Sequence, residues 1–328
     1  MSKPAKPTTH DVAKAAGVSQ MTVSRVLRGD ASVAPATRDR VEQAVSELGY
    51  IPNRLASIQR GAENPMVGVV LPTLANSVFT EVLAGINAGL AEVNLRPVFG
   101  VSEYNPEEEE RIVRDMLSWQ PRGIILTGLE HTDGLRRALS GAGVRVAEIM
   151  DTDGTPIAQA FGTSHAAAGL DMAAHLLAQG YRKAGYIAAH GGGDVRANKR
   201  YASFRTAFEG GGGVLVRSVV SDHASSMELG RDLAADMMNG SVRPDVVYFS
   251  NDDLAAGGLM ACIAGGLSVP GDVALAGYNG LPFLDALPQK LTTTYTPRFD
   301  IGRAAAAYMA GDRGEQVFAP VLIKGDTT

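Results

Sequence analysis

The chain is poor in the residues that carry redox and metal chemistry. Its 328 residues include a single cysteine, Cys262, and six histidines that are scattered rather than spaced as ligands. One cysteine cannot form a disulfide within the chain, and the apolar residues around it favour a buried helix position over a nucleophile. We therefore expect no metal site and no thiol catalysis.

Long hydrophobic runs and phosphate-binding loops are also missing. No apolar stretch reaches the roughly eighteen residues of a membrane span, and the N-terminus lacks the apolar region of a secretion signal. There is no Gly-x4-Gly-Lys-Ser/Thr loop, and the glycines at 191–193 lack the spacing of a dinucleotide loop. These absences predict a soluble cytoplasmic protein with no membrane partner, no cofactor and no enzyme activity.

The first fifty residues contain three short helical patterns. Thr8 and Ser19 are good N-caps for the first two helices, and Gly17 between them is a typical terminator. A third pattern begins at about Pro35 and is terminated by Gly49. Two helices joined by a turn of a few residues around Gly17 predict a helix-turn-helix, a motif that places its second helix in the DNA major groove.

The second of these helices separates a packing stripe from a reading face. The stripe consists of Val23, Val26 and Leu27. We assign Gln20, Met21 and Arg25 to base edges, because recognition helices enter the groove with their N-terminal residues first. Further DNA contacts are expected from Thr8, Ser19, Thr22, Ser24, Asn53 and Arg54.

Charge is divided unevenly between this head and the rest of the chain. Residues 1–61 hold nine Lys/Arg and five Asp/Glu, a balance of +4, whereas the whole chain is −5. Residues 62–328 therefore carry −9. A basic head on an acidic body is expected when only the head contacts phosphates.

From residue 66 the sequence alternates short apolar runs with longer helical stretches. Such alternation predicts a doubly wound parallel sheet, and ten or so strands are too many for one small domain. We expect a DNA-binding headpiece at 1–52, a hinge and linker at 53–65, and a body of two Rossmann-like lobes at 66–328. The lobes are predicted at about 66–160 with 297–318 and 161–292 with 319–328.

Ligands of such sheets bind beyond the carboxyl ends of the strands. The candidate contacts at these ends are Thr73, Asn76, Phe79, Asp151, Arg196, Arg200, Asn251, Asn279 and Arg298. Three arginines are more positive charge than a neutral sugar needs, and guanidinium groups recognise carboxylate or phosphate. Each arginine taken singly could instead form a surface or inter-lobe salt bridge. Together they predict an acidic ligand.

The segments Val-Ser-x-x-Thr-Val-Ser-Arg and Leu-Gly-Tyr-x-Pro-Asn resemble the lactose- and galactose-repressor family of transcription regulators. The resemblance implies a small all-α headpiece, an α/β two-lobed effector domain similar to periplasmic binding proteins, three crossovers and homodimers. It also implies that Asp151, Arg200, Asn251 and Asn279 bind sugar hydroxyls, with Asn279 replacing a more common Asp. The segments Asn-Asp-Asp-Leu-Ala and Thr-Pro-Arg look like those of gluconate-utilisation repressors.

The family resemblance further implies a hinge helix that presses a leucine into the minor groove. Here Gln59 stands at that position, with Ile58 beside it. Glutamine makes a poor wedge between base steps, so bending of the operator depends on Ile58. An ordinary flexible linker is the alternative.

The sequence as a whole predicts a ligand-responsive repressor of sugar-acid catabolism, released from operator DNA by an effector such as gluconate. A regulator of the same family that responds to a neutral sugar, or that acts with a corepressor, remains open. A sugar-acid kinase or dehydrogenase is disfavoured by the missing loops. A transport sugar-binding protein is disfavoured by the basic head and the missing signal.

Overall fold

The computed structural model describes residues 6–51, 64–189, 193–314 and 316–328, and the chain separates into two compact units, Met1–Glu63 and Asn64–Thr328. The first unit contains helices α1 (Thr9–Ala16), α2 (Gln20–Leu27) and α3 (Pro35–Leu48). The predicted caps are present. Thr8 and Asp11 form a reciprocal capping box, and Gly17 ends α1 in the left-handed conformation at φ 66°.

A small apolar core holds the three helices of the head together. It is built from valines and alanines of all three helices, including Val12, Val23 and Val41, each with 0% exposure. A hydrogen bond of 2.8 Å between Thr9 Oγ1 and the Tyr50 hydroxyl connects the start of α1 to the segment after α3. Leu27 was predicted to pack, but it is 36% exposed, because smaller side chains already fill this core.

The second unit is built on two parallel sheets, each covered by helices. The first sheet has the order β2-β1-β3-β4-β5 and the second has the order β7-β6-β8-β9. The strands and helices of the first lobe are β1 (Met66–Leu71), α4 (Val78–Glu92), β2 (Arg96–Val101), α5 (Pro106–Ser118), β3 (Gly123–Thr127), α6 (Asp133–Ala142), β4 (Arg145–Ile149) and β5 (Gln159–Phe161). Those of the second lobe are α7 (His165–Ala178), β6 (Lys183–Ala188), α8 (Val195–Gly210), β7 (Val214–Val220), α9 (Met227–Met238), β8 (Val246–Phe249), α10 (Asp252–Ala264) and β9 (Ala274–Ala276).

The remaining elements return the chain to each lobe in turn. They are a 3-10 helix (Pro282–Ala286), β10 (Thr293–Tyr295), α11 (Arg298–Ala310) and β11 (Val321–Ile323). Helix α11 contributes Ile301 and Met309 to the core of the first lobe. Strand β11 then pairs antiparallel with β10, and its Leu322 packs against the core of the second lobe.

Helices α4 and α11 pack with their backbones in close approach. A Cβ at Gly85 would collide with the Phe299 carbonyl, and one at Gly302 would collide with the Val82 carbonyl. Glycine at both positions therefore permits this contact. The predicted combination of a helix-turn-helix head with an α/β body of two parallel-sheet lobes is confirmed.

A histidine between two glutamates lies buried in the first lobe. His131 Nδ1 is 2.7 Å from Glu109 Oε2, and Nε2 is 3.4 Å from Glu148 Oε1. Burial opposes protonation of His131, but the two carboxylates outweigh it and raise its pKa to about 9. The imidazolium therefore contributes stability that is complete below the unfolded pKa of about 6.5 and is lost as pH rises through 9.

We expect His131→Asn to lower the free energy of unfolding at pH 7 by about 2–3 kcal/mol, because two buried carboxylates lose their cation. The difference from the wild type should shrink between pH 7 and pH 10, as the wild-type imidazolium loses its proton. Urea unfolding of the full chain at several pH values in this range measures the difference in the free energy of unfolding. His223→Asn, at an exposed position, is the control. A difference that does not change with pH would contradict a charged His131.

Candidate functional site

Helix α2 presents the predicted reading face to solvent. Gln20, Met21 and Arg25 are all exposed, with Met21 at 66%. Ser19 caps the helix by accepting from the Thr22 amide at 3.1 Å. Gln20 Nε2 lies 3.1 Å from His10 Nδ1, so its amide is held at the N-terminal end of the helix.

The other predicted DNA contacts of the head fall into two groups. Thr8 and Ser19 are exposed N-caps, while Thr22 and Ser24 are half-buried on α2. Helix N-termini and short hydroxyl side chains commonly contact DNA phosphates, so all four positions suit contacts to the DNA backbone. The predictions for Asn53, Arg54, Ile58 and Gln59 lie outside the described residues.

The carboxyl ends of both parallel sheets face a cleft between the lobes of the second unit, and two neighbouring cavities open there. The inner cavity has a volume of about 40 Å³ and the outer cavity one of about 110 Å³. Arg196 and Tyr104 line both. The inner wall is formed by Asn76, Val78, Phe79, Tyr104, Met150, His165, Asp194, Arg196, Arg200, Ser250, Asn251, Tyr278 and Asn279.

Six of the nine predicted effector contacts lie in this inner wall, namely Asn76, Phe79, Arg196, Arg200, Asn251 and Asn279. Asn251 also caps α10 by accepting from the Leu254 amide at 3.0 Å, so part of its amide is already used. Asn279 adopts a φ of 122°, which asparagine tolerates better than most residues. Their role as ligand contacts stays a prediction.

Arg200 is a cation buried in the cavity wall. Its exposure is 4%, and its guanidinium carbon lies 3.6 Å from the centre of the Tyr278 ring. Nη1 donates to His165 Nδ1 at 2.9 Å and Nη2 donates to the Ser250 carbonyl at 2.8 Å, whereas Nε has no hydrogen-bond partner. Among the described residues no carboxylate forms an ion pair with this guanidinium.

His165 supports Arg200 as a neutral acceptor. Its Nε2 lies 2.8 Å from the Met150 carbonyl, so Nε2 carries the proton and Nδ1 accepts from Arg200. Burial and the neighbouring Arg200 hold the pKa of His165 well below its ordinary value. The imidazole is therefore uncharged at neutral pH.

Arg196 is the more accessible of the two cavity arginines. Its side chain is 15% exposed, and its Nε is 3.8 Å from Asp194 Oδ1, a loose contact. Asp194 caps α8 by accepting from the Ala197 amide at 3.2 Å. Burial favours the neutral form of Asp194, but Arg196 and Arg200 lower its pKa and keep it ionised. The part of the inner wall that the structure describes thus carries two guanidinium groups and one carboxylate.

Arg298, the third predicted arginine, is not in the cavity wall. It is 0% exposed, its Nη2 donates to Glu81 Oε1 at 3.1 Å, and its Nη1 bonds to the Asn279 carbonyl and to Thr296 Oγ1. Arg298 therefore forms a salt bridge, the alternative to a ligand contact, because its guanidinium is paired with the Glu81 carboxylate on α4. Its contact with the Asn279 carbonyl connects Arg298 to the inner wall.

Asp151 and Thr73 also lie outside both cavity walls. Asp151 is 0% exposed, with one oxygen accepting from Lys199 Nζ at 2.6 Å and the other from the Asp153 amide at 2.8 Å. Thr73 Oγ1 accepts from the Ala75 amide at 3.1 Å, an interaction within its own loop. Protein partners use the oxygens through which these residues were expected to contact a ligand.

Several wall residues were missed by the sequence reasoning. Tyr104 follows the carboxyl end of β2, so the rule that ligands bind beyond strand ends also applies to it. Ser250 and Tyr278 directly precede predicted contacts. His165 starts the helix after the first crossover, and nothing in the sequence marks it as a neighbour of Arg200.

Within the described ranges, no helix combines the length and the apolarity that crossing a membrane requires. The same residues contain no group of His, Cys, Asp and Glu side chains that could hold a metal ion. Cys262 is buried in α10, and burial raises its thiol pKa to about 11. His190 and the glycines at 191 and 192 lie outside the described residues.

Comparison with known proteins gives matches to both units. Residues 8–53 match the family described as "Bacterial regulatory proteins, lacI family", and residues 173–321 match the "Periplasmic binding protein-like domain". The HTH-type transcriptional regulator GntR of Pseudomonas aeruginosa is 38% identical over 92% of this chain and 88% of its own length.

Solved structures agree with these matches. A lacI-family transcriptional regulator from Silicibacter pomeroyi has a TM-score of 0.92 and 41% identity, over 98% of this chain and 99% of its own. A lac repressor dimer bound to operator and the anti-inducer ONPF has a TM-score of 0.84 and 25% identity, over 98% and 99%. These relatives are transcription regulators and not enzymes.

Proposed function

We propose that the effector of this chain is a sugar acid such as gluconate. The premise is that the chain belongs to the lacI family of bacterial regulatory proteins and is a DNA-binding transcriptional regulator. Regulators of this family bind operator DNA and a small-molecule effector, and they form dimers. The chain then acts in the cytoplasm as a repressor of sugar-acid catabolism. The effector binds between a lobe of residues 66–160 with 297–318 and a lobe of residues 161–292 with 319–328.

The charge of the inner cavity carries this proposal. Among the described residues of the inner wall, Arg196 and Arg200 face one ionised carboxylate, that of Asp194, and His165 is neutral, so these residues have one positive charge in excess. A buried charge that lacks a counter-charge is costly, and Arg200 still has an unpaired Nε–H. A monoanionic carboxylate supplies the missing charge, which a neutral sugar cannot do.

The rest of the cavity suits a polyhydroxylated chain. Asn76, Asn279 and Tyr104 bring amide and phenol groups to the wall, and Phe79 provides an apolar face for the carbon skeleton. Such a mixture of an apolar surface with a few polar groups is typical of small-molecule sites. The amides and phenol can both donate to and accept from hydroxyls, whereas the guanidinium groups fix the carboxylate end.

Effector and operator are then linked through the arrangement of the lobes. A ligand shifts DNA affinity only through its different affinities for the two lobe arrangements. We propose that the sugar acid favours the arrangement that binds operator less tightly. On the DNA side, Gln20, Met21 and Arg25 contact base edges, and each half of a dimer reads one half-operator.

Gluconate should stabilise the full-length protein against heat, since a ligand selective for the folded state at about 100 times its Kd adds about 2.7 kcal/mol. Glucose, which lacks the carboxylate, should stabilise it far less. Arg200→Met and Arg196→Met should each weaken gluconate binding at least about thirtyfold, because each removes a desolvated charge contact. Calorimetry and thermal denaturation measure both effects.

Arg205→Met is the matched control, because Arg205 is on the same helix but pairs with Glu209 at the exposed surface. It should leave gluconate affinity unchanged. Glucose that binds as tightly as gluconate would show the neutral-sugar alternative to be correct. Operator binding that tightens with gluconate in a gel-shift assay would show a corepressor.

Arg25→Ala should weaken operator binding by about 1–3 kcal/mol and relax the preference at one base pair, because an arginine bidentate to guanine discriminates by that amount. Lys6→Ala should weaken binding to all sequences alike, as loss of a phosphate contact does. A binding-site selection compares the two variants. An unchanged sequence preference in Arg25→Ala would show that α2 was assigned the wrong reading residue.

A further inference from the structure

Lys199 joins the two lobes beside the effector cavity. It lies on α8 of the second lobe, and its ammonium contacts the loops that follow β3 and β4 of the first lobe. Nζ is 2.7 Å from Glu130 Oε1, 2.6 Å from Asp151 Oδ2 and 2.8 Å from the Asp153 carbonyl. An ammonium group has three N–H donors, so these acceptors use all of them.

This contact is only partly open to solvent. Asp151 is fully buried and the Lys199 side chain is 20% exposed, while the Glu130 side chain is 43% exposed. Burial raises the pKa of Asp151, and although burial alone would lower the pKa of Lys199, its two carboxylate partners raise it. Ion pairs at a surface contribute little, whereas breaking a desolvated pair is strongly destabilising.

Lys199 shares a helix with the two cavity arginines. Arg196 and Arg200 lie three residues before it and one residue after it, so all three side chains move together with the first turns of α8. Lys199 and Asp151 line neither cavity, whereas Glu130 lines the outer one. The only route from Lys199 to the ligand is therefore the position of α8 relative to the first lobe.

We propose that Lys199, with Glu130 and Asp151, forms an inter-lobe clamp that positions Arg196 and Arg200 for the effector. Lys199 and Asp151 are positioning residues, Glu130 lies outside the inner cavity but lines the outer one, and the inference rests on the effector site proposed above. A ligand in the cavity must contact α8 and first-lobe groups such as Asn76 and Tyr104 simultaneously. The clamp fixes the distance between α8 and the first-lobe side of the cavity. When the clamp is loosened, the ligand must order these two sides itself, and its affinity falls.

Glu130→Gln tests the clamp with the least risk to folding. The variant removes one exposed carboxylate and leaves the buried Asp151 paired with Lys199. We expect gluconate to bind about fivefold more weakly, within the range for a partly exposed ion pair. Lys199→Arg keeps the positive charge and should therefore bind gluconate more tightly than Lys199→Gln does.

Glu92→Gln is the matched control. Glu92 pairs with Arg303 at 3.2 Å, with a side-chain exposure of 59%, between two helices of the first lobe. It should leave gluconate affinity unchanged. The proposal is overturned if Glu130→Gln lowers the Tm but leaves gluconate affinity unchanged. In that case the cluster only stabilises the fold.

A second measurement separates failure of the clamp from failure of the effector assignment. Spin labels at Glu107→Cys on α5 and Arg205→Cys on α8, in a Cys262→Ala background, report the distance between the lobes without any ligand. Glu130→Gln should broaden this distance distribution, whereas Glu92→Gln should not. An unchanged distribution overturns the clamp, while a wild type that ignores gluconate overturns only the effector assignment.

Discussion

The effector unit depends on a cation that the chain buries without pairing it to a carboxylate among the described residues. Tyr278, His165 and the Ser250 carbonyl fix the Arg200 guanidinium but supply no negative charge. If the effector is an anion, as we propose, the free energy gained when it reaches Arg200 is available to favour one lobe arrangement over another. In that proposal recognition and regulation depend on the same guanidinium group, and the neutral His165 beside it adds no charge to the site.

Local chemistry made most of the secondary structure predictable. The N-caps Thr8 and Ser19 and the terminator Gly17 act within one helical turn, so their sequence neighbours alone define them. The apolar runs that form strands were equally predictable, because a strand that is buried on both faces is continuously hydrophobic. Leu27 shows the limit, because its exposure depends on how three helices share a small core.

The site was only partly predictable, because partners come from distant parts of the chain. Arg298 meets Glu81 across a separation of 217 residues, and Lys199 meets Asp151 across 48. Strand ends indicate which loops converge on the cleft, and that rule found Asn76, Arg196 and Asn251. It cannot tell which side chains find a protein partner and which are left for a ligand.

The late return of the chain to its first lobe affects how the protein is made. Ile301 and Met309 of α11 complete a core whose other members begin at Val67, and β11 completes the second lobe later still. A ribosome has therefore translated most of the chain before either lobe possesses all its elements. The head, whose core ends with residues near Tyr50, can fold while the body is still being synthesised. Synthesis thus yields a DNA-reading head well before the part that controls it.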